Sequence, residues 1–474
     1  MIRRQVAEES ILFFSILKWF FLAMVSGASV GLVVGCFMLA LDAAIGSVQV
    51  IPNYYYLLPL ALVCTSWVSR RVVPQADGYS TNRVIASIHK NVLVHPFSVV
   101  KAFFLPIITI ACGGSAGREA PGADIGAGLS AGLSRLLRLD PADRRKLMIC
   151  GISAGFAAVF GTPISGAIFG VEVLFVGALL YEVLFPSFVA GIIGYQVASA
   201  IGVVYVHTPI KFVPLFTEDF FLKVVVAGIF FGLVTVLVIE TLRATRRFLE
   251  KHARRLVIRA LAGGVLIVLL VELTSEKYLG LGVAQMALYT SGQPAEWFDF
   301  LLKLVFTALT LQAGGVAGLV TPVLFIGAAS GSFFAKFYTI SSTHLGGLYL
   351  ADLLKFQNPV FPALGMVSLL AGAANTPLSA SIMAMELFGP EIAPYAAVTC
   401  LISFLMTGNR SIYPAQVLVI KKTRSLGVQH GREMGDVHQR YYLHDTRVAG
   451  GLWLFARRTK KAIRRLFAFR RKKR

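Results

Sequence analysis

The chain has 474 residues, of which 56% are hydrophobic and 15% charged, and its mean hydropathy is +0.72. This composition excludes a soluble protein, whose surface must be polar, and indicates a polytopic α-helical membrane protein. The formal net charge is +21, and residues 421–474 carry much of it, with 17 Lys and Arg against three acidic residues.

Long apolar stretches follow one another along the chain. The hydrocarbon core of a bilayer requires about 20 residues of helix, so each stretch has room for one or more membrane helices. They cover approximately residues 11–47, 51–69, 99–112, 147–205, 218–240, 256–273, 299–337 and 358–408. We predict a dozen or more membrane helices in total.

The basic segment at residues 421–474 follows the last apolar stretch. Lys and Arg accumulate on the cytoplasmic side of membrane proteins, so we predict a cytoplasmic C-terminus in the inner (plasma) membrane of a prokaryote, with the segment against anionic headgroups. Nucleic-acid binding is the rival interpretation, and the membrane context argues against it. Residues Arg243–Arg255 form a second basic stretch and predict another cytoplasmic loop.

Two motifs occur once in each half of the sequence. Gly117 to Pro121 is followed by Ile-Gly-Ala at 125–127, and Gly318 to Pro322 is followed at the same spacing by Ile-Gly-Ala at 326–328. The second motif has Ala-Gly, then Thr-Pro, then Glu nine residues after Pro; its members are Ala154, Gly155, Thr162, Pro163 and Glu172, and Ala371, Gly372, Thr376, Pro377 and Glu386. This order predicts two homologous halves, residues 1–215 and 216–420.

Both Gly-x-x-x-Pro motifs are suited to the start of a broken helix. Glycine permits unusual backbone angles, and proline in the first turn costs no hydrogen bond. Repeats in transporters often have inverted topology, with helix N-termini aimed at an anion near the membrane midplane. Free amides and the helix dipole would bind that anion without a full charge. Kinks that serve packing alone are the alternative, which the repetition disfavours.

These motifs carry a family resemblance. Gly117 to Pro121 resembles the GREGP signature of the CLC family of voltage-gated chloride channels and chloride/proton antiporters, and Gly318 to Pro322 resembles its GxFxP signature. Ser411 to Tyr413 is similar to the segment with the family's anion-coordinating tyrosine. The resemblance covers roughly residues 20–425 and implies an all-α polytopic membrane protein with a CLC-type inverted repeat, many tilted and broken helices, and a homodimer with a pore in each subunit.

The resemblance also implies roles for single residues. Glu119 would be the gating glutamate, whose carboxylate competes with the anion when ionised and carries a proton when protonated. A structural ion pair with Arg118 is the alternative for this acid. The anion would be bound by backbone amides of the two motifs and by a tyrosine hydroxyl, and the residues implied are Gly117, Arg118, Ala120, Leu319, Val320 and Tyr413.

The sequence departs from the family pattern in three places. Tyr79 takes the place of the anion-binding serine of an early GSGIP motif. Either Ser80 or Thr81 substitutes for that serine after a one-residue shift, or the inner anion site is altered. Val320 stands where most chloride-selective members have Phe, and its Val-Thr-Pro run resembles the fluoride/proton antiporter branch. Val173 takes the place of the internal glutamate that relays protons, which leaves strict proton coupling open.

Other acidic residues lie within apolar stretches. We expect the repeated Glu172 and Glu386 to bond backbone or neighbouring helices at matched places in the two halves. Asp124, five residues after Glu119, either tunes the field of the pore or lies on a helix surface.

We therefore predict transport of small anions through a pore in each subunit, with chloride favoured and fluoride export by fluoride/proton antiport as the alternative. The sequence leaves open whether the protein is a passive channel or a proton antiporter. It has no P-loop, metal-spaced His cluster or nucleophile elbow, so we expect no enzymatic activity, cofactor or metal. The tail after Ile420 is too short for the paired nucleotide-binding modules of many family members.

Overall fold

The computed structural model describes residues 2–72, 80–90, 97–205, 207–210, 213–214, 217–253, 255–345, 359–423, 426–427, 431–436 and 440–441. Within these ranges the chain is an α-helical bundle. The helices are α1 (Ile2–Gln49), α2 (Leu58–Val72), α3 (Ser80–Lys90), α4 (Phe97–Ala111), α5 (Glu119–Leu136), α6 (Pro141–Phe160), α7 (Pro163–Glu172), α8 (Tyr181–Ala200), α9 (Glu218–His252), α10 (Leu256–Leu273), α11 (Val283–Thr290), α12 (Asp299–Ala313), α13 (Val320–Leu345), α14 (Val360–Ala374), α15 (Pro377–Phe388) and α16 (Ala393–Met406).

In the described ranges, four short strands accompany the helices. They are β1 (Phe175–Val176), β2 (Val417–Leu418), β3 (Leu426–Gly427) and β4 (Arg440–Tyr441). β1 pairs with β2 in parallel and β3 pairs with β4 antiparallel. Most of the predicted basic tail, residues 442–474, lies outside the described residues.

Four helices in the described part of the chain are long and apolar enough to cross a membrane, namely α1 from Glu8 onward, α8, α9 and α10. Other apolar stretches contain shorter helices, such as α7 with 10 residues and α15 with 12. A left-handed residue ends the preceding helix in both cases, Gly161 (φ 70°) after α6 and Asn375 (φ 58°) after α14. Thr-Pro then starts the next helix, so long helices alternate with short, broken ones, as the sequence predicted.

The bundle has two faces. We name one the basic face because α9 ends there at Lys251 and His252 and Arg255 precedes α10 there. α10 ends at the opposite face, where Glu272 accepts hydrogen bonds from the hydroxyls of Tyr55 (2.9 Å) and Tyr56 (2.7 Å), just beyond α1. The other end of α1 is therefore near the basic face. Lys18 of α1 pairs there with Asp143 at the start of α6.

These contacts show that α5 and α13 run in opposite directions. α5 leads into α6 at the basic face. α13 runs toward the opposite face, since Ser332 in α13 accepts a hydrogen bond from the Ala295 amide (2.9 Å), four residues before α12. Asp299 begins α12 and accepts a hydrogen bond from the hydroxyl of Tyr278 (2.6 Å), just beyond α10.

Glycine pairs allow matched helices in the two halves to pack closely. A Cβ on Gly126 of α5 would overlap the backbone of Gly151 in α6, and a Cβ on Gly327 of α13 would overlap Gly365 in α14. Small residues at such contacts let helix backbones approach each other in membranes. The Ile-Gly-Ala element of the first motif therefore has the same packing role in both halves.

The repeated glutamates form a reciprocal pair of bonds between the halves. Glu386 at the end of α15 accepts from the first turn of α7, and Glu172 at the end of α7 accepts from the first turn of α15. The donors are the amides of Ile164 and Ser165 for Glu386 and of Leu378 and Ser379 for Glu172, at 2.8 to 3.0 Å. Each carboxylate thus satisfies helix N-terminal amides and meets the positive end of a helix dipole.

We expect Glu172→Gln to lower the melting temperature of the detergent-solubilised protein. The amide keeps one acceptor but loses its charge, which costs about 1.5–3 kcal/mol for hydrogen bonds to a charged group. Glu391→Gln is the matched control, because Glu391 is exposed in a short turn before α16. Equal melting temperatures for Glu172→Gln and the wild type would show that the reciprocal bonds contribute nothing.

Candidate anion pathway at two helix starts

The loops before α5 and α13 lie side by side. The Gly117 amide donates to the Gly318 carbonyl (2.8 Å) and the Gly318 amide donates to the Gly117 carbonyl (2.7 Å), which forms an antiparallel bridge. The two Gly-x-x-x-Pro motifs are therefore joined at their glycines. Two helices start from this bridge and leave in opposite directions.

Two threonines at matched positions link each loop by a hydrogen bond to the other half of the chain. The Thr310 hydroxyl accepts from the Ser115 amide (3.1 Å), and the Thr109 hydroxyl accepts from the Val316 amide (3.2 Å). Both threonines are fully buried. The bonds satisfy backbone amides that the broken helices leave without a helical acceptor.

We expect Thr310→Val to destabilise the fold, because it leaves the buried Ser115 amide without its acceptor at a cost of about 1–3 kcal/mol. Thermal unfolding in detergent measures this effect. Thr274→Val is the matched control, since Thr274 is exposed at the end of α10 and its hydroxyl donates to the Leu270 carbonyl of that helix (2.6 Å). A destabilisation no larger than that of the control would contradict this account of the loops.

Glu119 is the first residue of α5, and its carboxylate lies at the start of α13. It is 2% exposed. One carboxylate oxygen accepts from the Val320 amide, and the other accepts from the Thr321 hydroxyl at 2.8 Å. The Thr321 amide also contacts the carboxylate. This negative group therefore occupies the position in which a helix N-terminus binds an anion.

The two bridge glycines leave the space that this carboxylate fills. A Cβ at Gly117 or at Gly318 would overlap the Glu119 carboxylate oxygens. A Cβ at Gly318 would also lie 2.9 Å from the Ala120 amide nitrogen, which is backbone and has little freedom to move. The motif requires glycine at these two positions because the Glu119 carboxylate lies so close to them, in addition to any need for unusual backbone angles.

The neighbours predicted for the anion site lie around this carboxylate. Arg118 is the N-cap residue of α5 and interacts electrostatically with Asp42 and Glu119. In the part of the chain that the structure describes, Glu119 is bonded to α13 and forms no ion pair with Arg118. Ala120 and Leu319 are buried and offer only backbone groups.

Tyr413 completes the arrangement from the segment after α16. It is 2% exposed, its side chain hydrogen-bonds with that of Thr81 in α3, and it interacts electrostatically with Glu119. Thr81 is one of the two residues expected to replace the family's serine. Tyr79 and the side chain of Ser80 lie outside the described residues, although Ser80 is the first residue of α3.

Val173 follows α7 and is fully buried. Its carbonyl accepts a hydrogen bond from the Gln416 side chain (2.8 Å), which also donates to the Ala374 carbonyl (2.7 Å). An aliphatic side chain has no proton to exchange, so a relay through the Val173 side chain is not available.

A cavity of about 440 Å³ opens at the basic face and leads toward the bridge. At its outer end are Arg246 and Glu250, which form an exposed ion pair at 2.8 Å. At its inner end are residues 314–317, directly before Gly318, and residues that flank Tyr413. Its basic lining residues are Arg70, Arg83, Lys101, Arg243, Arg246 and Arg259. Such a lining favours anions.

The sequence predictions omitted Thr109, Thr310 and Thr321. The first two belong to a longer repeat, Thr-x-x-x-Gly-Gly-x-Ala-Gly-x-x-x-Pro, which reads identically from Thr109 and from Thr310. That signal was sufficient to find them. Thr321 has no counterpart in the other half, where Ala120 stands, so the repeat gives no indication of its role.

A buried acid between two helix starts, next to a basic cavity, is an arrangement suited to a membrane protein that moves anions. Comparison with known proteins indicates the same class of protein. A family profile described as voltage gated chloride channel matches residues 60–408. The chain belongs to this family, the CLC anion channels and transporters.

The names of individual relatives refer to different ions. The chloride/fluoride channel protein of Pseudomonas syringae pv. tomato is 36% identical over 409 residues, which cover 85% of this chain and 86% of that protein. The voltage-gated ClC-type chloride channel ClcB of Escherichia coli O81 is 26% identical over 317 residues, 65% of this chain and 72% of the relative.

Solved structures share the fold. A CLC-type fluoride/proton antiporter matches with a TM-score of 0.76 and 26% identity, over 86% of this chain and 99% of that one. A slow cyanobacterial Cl⁻/H⁺ antiporter matches with a TM-score of 0.68 and 16% identity, over 81% of this chain and 94% of that one. The all-α CLC architecture implied by the sequence motifs is confirmed.

Proposed function

We propose that this protein exchanges a small anion for protons and that fluoride is the anion. The observation that carries the proposal is the Glu119 carboxylate, held by the Val320 amide and the Thr321 hydroxyl at the start of α13. A carboxylate oxygen and an anion compete for these donors. Protonation removes the charge that holds the carboxylate, so proton binding and anion binding are linked.

Fluoride is favoured by the donors at this position. It is the smallest halide and the strongest hydrogen-bond acceptor among them, and a hydroxyl next to an amide replaces part of its hydration shell. The names of two similar proteins point the same way, since one is called a chloride/fluoride channel and another a fluoride/proton antiporter. Fluoride therefore takes precedence over the chloride that the sequence motifs favoured.

Chloride is the second candidate because Tyr413 is retained. Its buried side chain interacts electrostatically with Glu119, on the side of the acid toward the basic cavity. A tyrosine hydroxyl there would coordinate a larger halide together with the amides of Leu319 and Val320. The chloride channel among the relatives supports this alternative.

We place the chain in the inner membrane of a prokaryote, with the basic face and the C-terminus in the cytoplasm. The basic residues of the Arg243–Arg255 stretch of the sequence and those from 421 onward support this orientation. We expect contact with anionic lipid headgroups there, and a homodimer in which each subunit has its own pathway, as the family resemblance implies. No nucleic-acid partner, cofactor or enzymatic activity is part of the proposal.

Ion efflux from proteoliposomes tests the proposal. Vesicles loaded with fluoride, chloride or nitrate are compared for initial efflux rate, and the internal pH is recorded at the same time. We expect the fastest efflux for fluoride, with protons driven uphill into the vesicles. Faster chloride efflux would favour the second candidate, and fluoride efflux without proton movement would show a passive channel.

A further inference from the structure

Buried acids in the described bundle differ in what surrounds them. Glu172 and Glu386 each accept two helix amides. Asp299, at the opposite face, accepts hydrogen bonds from Tyr278 and Tyr289. These three carboxylates therefore have structural partners. Asp124 has cationic neighbours that line the basic cavity.

Asp124 lies in α5 on the basic-face side of Glu119. It is five residues further along the helix, which is about 7.5 Å of helical rise, and it is 4% exposed. Its Oδ2 is 4.0 Å from Arg83 Nη2 in α3. Lys101 in α4, 6% exposed, interacts electrostatically with both Asp124 and Arg83. A carboxylate at this depth is costly without such cations.

These cations connect Asp124 to the basic face. Arg83 and Lys101 both line the 440 Å³ cavity that opens there. The acid thus lies directly behind the cavity wall. Protons that enter the cavity from the basic face need to pass only this layer to reach Asp124.

Tyr413 connects Asp124 to Glu119. It interacts electrostatically with both carboxylates, and its side chain hydrogen-bonds with Thr81. The Tyr413 hydroxyl and its partner Thr81 are thus close to the two acids. No other buried acid of the described residues combines a position on this side of Glu119 with neighbours that line the cavity.

We propose that Asp124 is the internal proton donor and acceptor for Glu119, in place of the acid that Val173 lacks. The inference rests on the proposed proton-coupled function. In the inward-facing exchange, the O–H bond of the Asp124 carboxylic acid breaks and an O–H bond forms on the Glu119 carboxylate, through the intervening hydroxyls or water. The Asp124 carboxylate then takes a proton from a hydronium ion in the cavity, which leaves water and closes the cycle.

Arg83 and Lys101 have a second effect in this arrangement. An acid beside an anion pathway would repel the anion, and the two cations offset that charge while Asp124 is ionised. When Asp124 is protonated, the cavity wall has excess positive charge and attracts an anion. Protonation of Asp124 and entry of an anion into the cavity from the basic face therefore favour each other.

Asp124→Asn tests the inference in proteoliposomes, with anion efflux and proton uptake recorded together. We expect protons moved per anion to fall about tenfold or more, the effect of losing an acid–base group, while anion efflux stays within about threefold of the wild type. Asp124→Glu should restore coupling, which a purely structural role would not require. Glu240→Gln is the matched control, since Glu240 is an acid of α9 paired with Arg410 at 2.8 Å.

Unchanged coupling in a folded Asp124→Asn protein would overturn the inference and leave the proposed antiport intact. Loss of anion efflux in that variant would also overturn it, by showing that Asp124 belongs to the anion site. Absence of proton movement in the wild type would instead refute the proposed function. Arg83→Gln gives a second measurement, because it should shift the pH dependence of coupled transport to higher pH; an unshifted profile would count against Asp124.

Discussion

Glu119→Gln is expected to abolish anion-driven proton uptake in proteoliposomes. The glutamine side chain is nearly isosteric but cannot take up and release a proton at the start of α13. The Val320 amide and the Thr321 hydroxyl remain as anion donors. We therefore expect proton movement to fall to the level of empty vesicles in simultaneous recordings of proton uptake and anion efflux.

Glu391→Gln provides the comparison for Glu119→Gln. Both changes neutralise one glutamate, but Glu391 is exposed and distant in sequence from both Gly-x-x-x-Pro motifs. The control should move protons as the wild type does. If folded Glu119→Gln protein still pumped protons uphill, another acid would be the exchanging group and Glu119 would have only a structural role.

Gly318→Ala should have the second-largest effect. Its Cβ would overlap the Glu119 carboxylate and lie 2.9 Å from the Ala120 amide nitrogen, so the acid is expelled and the bridge with Gly117 is strained. Overpacking of this kind costs about 1–3 kcal/mol, and a loss of that size in binding free energy at the site lowers anion flux by about fivefold to about 150-fold. Initial efflux rates measure it.

Gly132→Ala is the matched control for Gly318→Ala. Gly132 lies within α5, and a Cβ at this position meets nothing within 4 Å. Alanine is the better helix former, so the control should be at least as stable as the wild type and equally active. Wild-type flux in Gly318→Ala would contradict the close packing of the carboxylate against the bridge.

Much of the pathway was predictable from repeated motifs. Glycine and proline at 117–121 and 318–322 predicted two helix starts, and the structure joins them through the Gly117–Gly318 bridge. Glu172 and Glu386 were expected to bond backbone, and each does so at the helix start of the other half. Such features repeat because each half must solve the same packing problem, and repetition makes them visible in sequence.

Features that belong to only one half were harder to predict. Thr321 bonds the Glu119 carboxylate, but its counterpart in the repeat is Ala120, so no pattern marks it. Asp124 was placed either in the field of the pore or on a helix surface. The sequence does not show that Arg83 and Lys101, from two other helices, meet it behind the cavity wall. Long-range contacts of this kind depend on the packing of the whole bundle.

The central claim is that the Glu119 carboxylate and the transported anion compete for the same donors at the start of α13. Calorimetric titration of the purified protein with fluoride, in buffers of different ionisation enthalpy, measures the protons taken up per anion bound. We predict proton uptake approaching about one per chain in the wild type and none in Glu119→Gln, since an expelled carboxylate binds a proton. Fluoride binding without proton uptake, across the pH range in which carboxylates titrate, would contradict the claim.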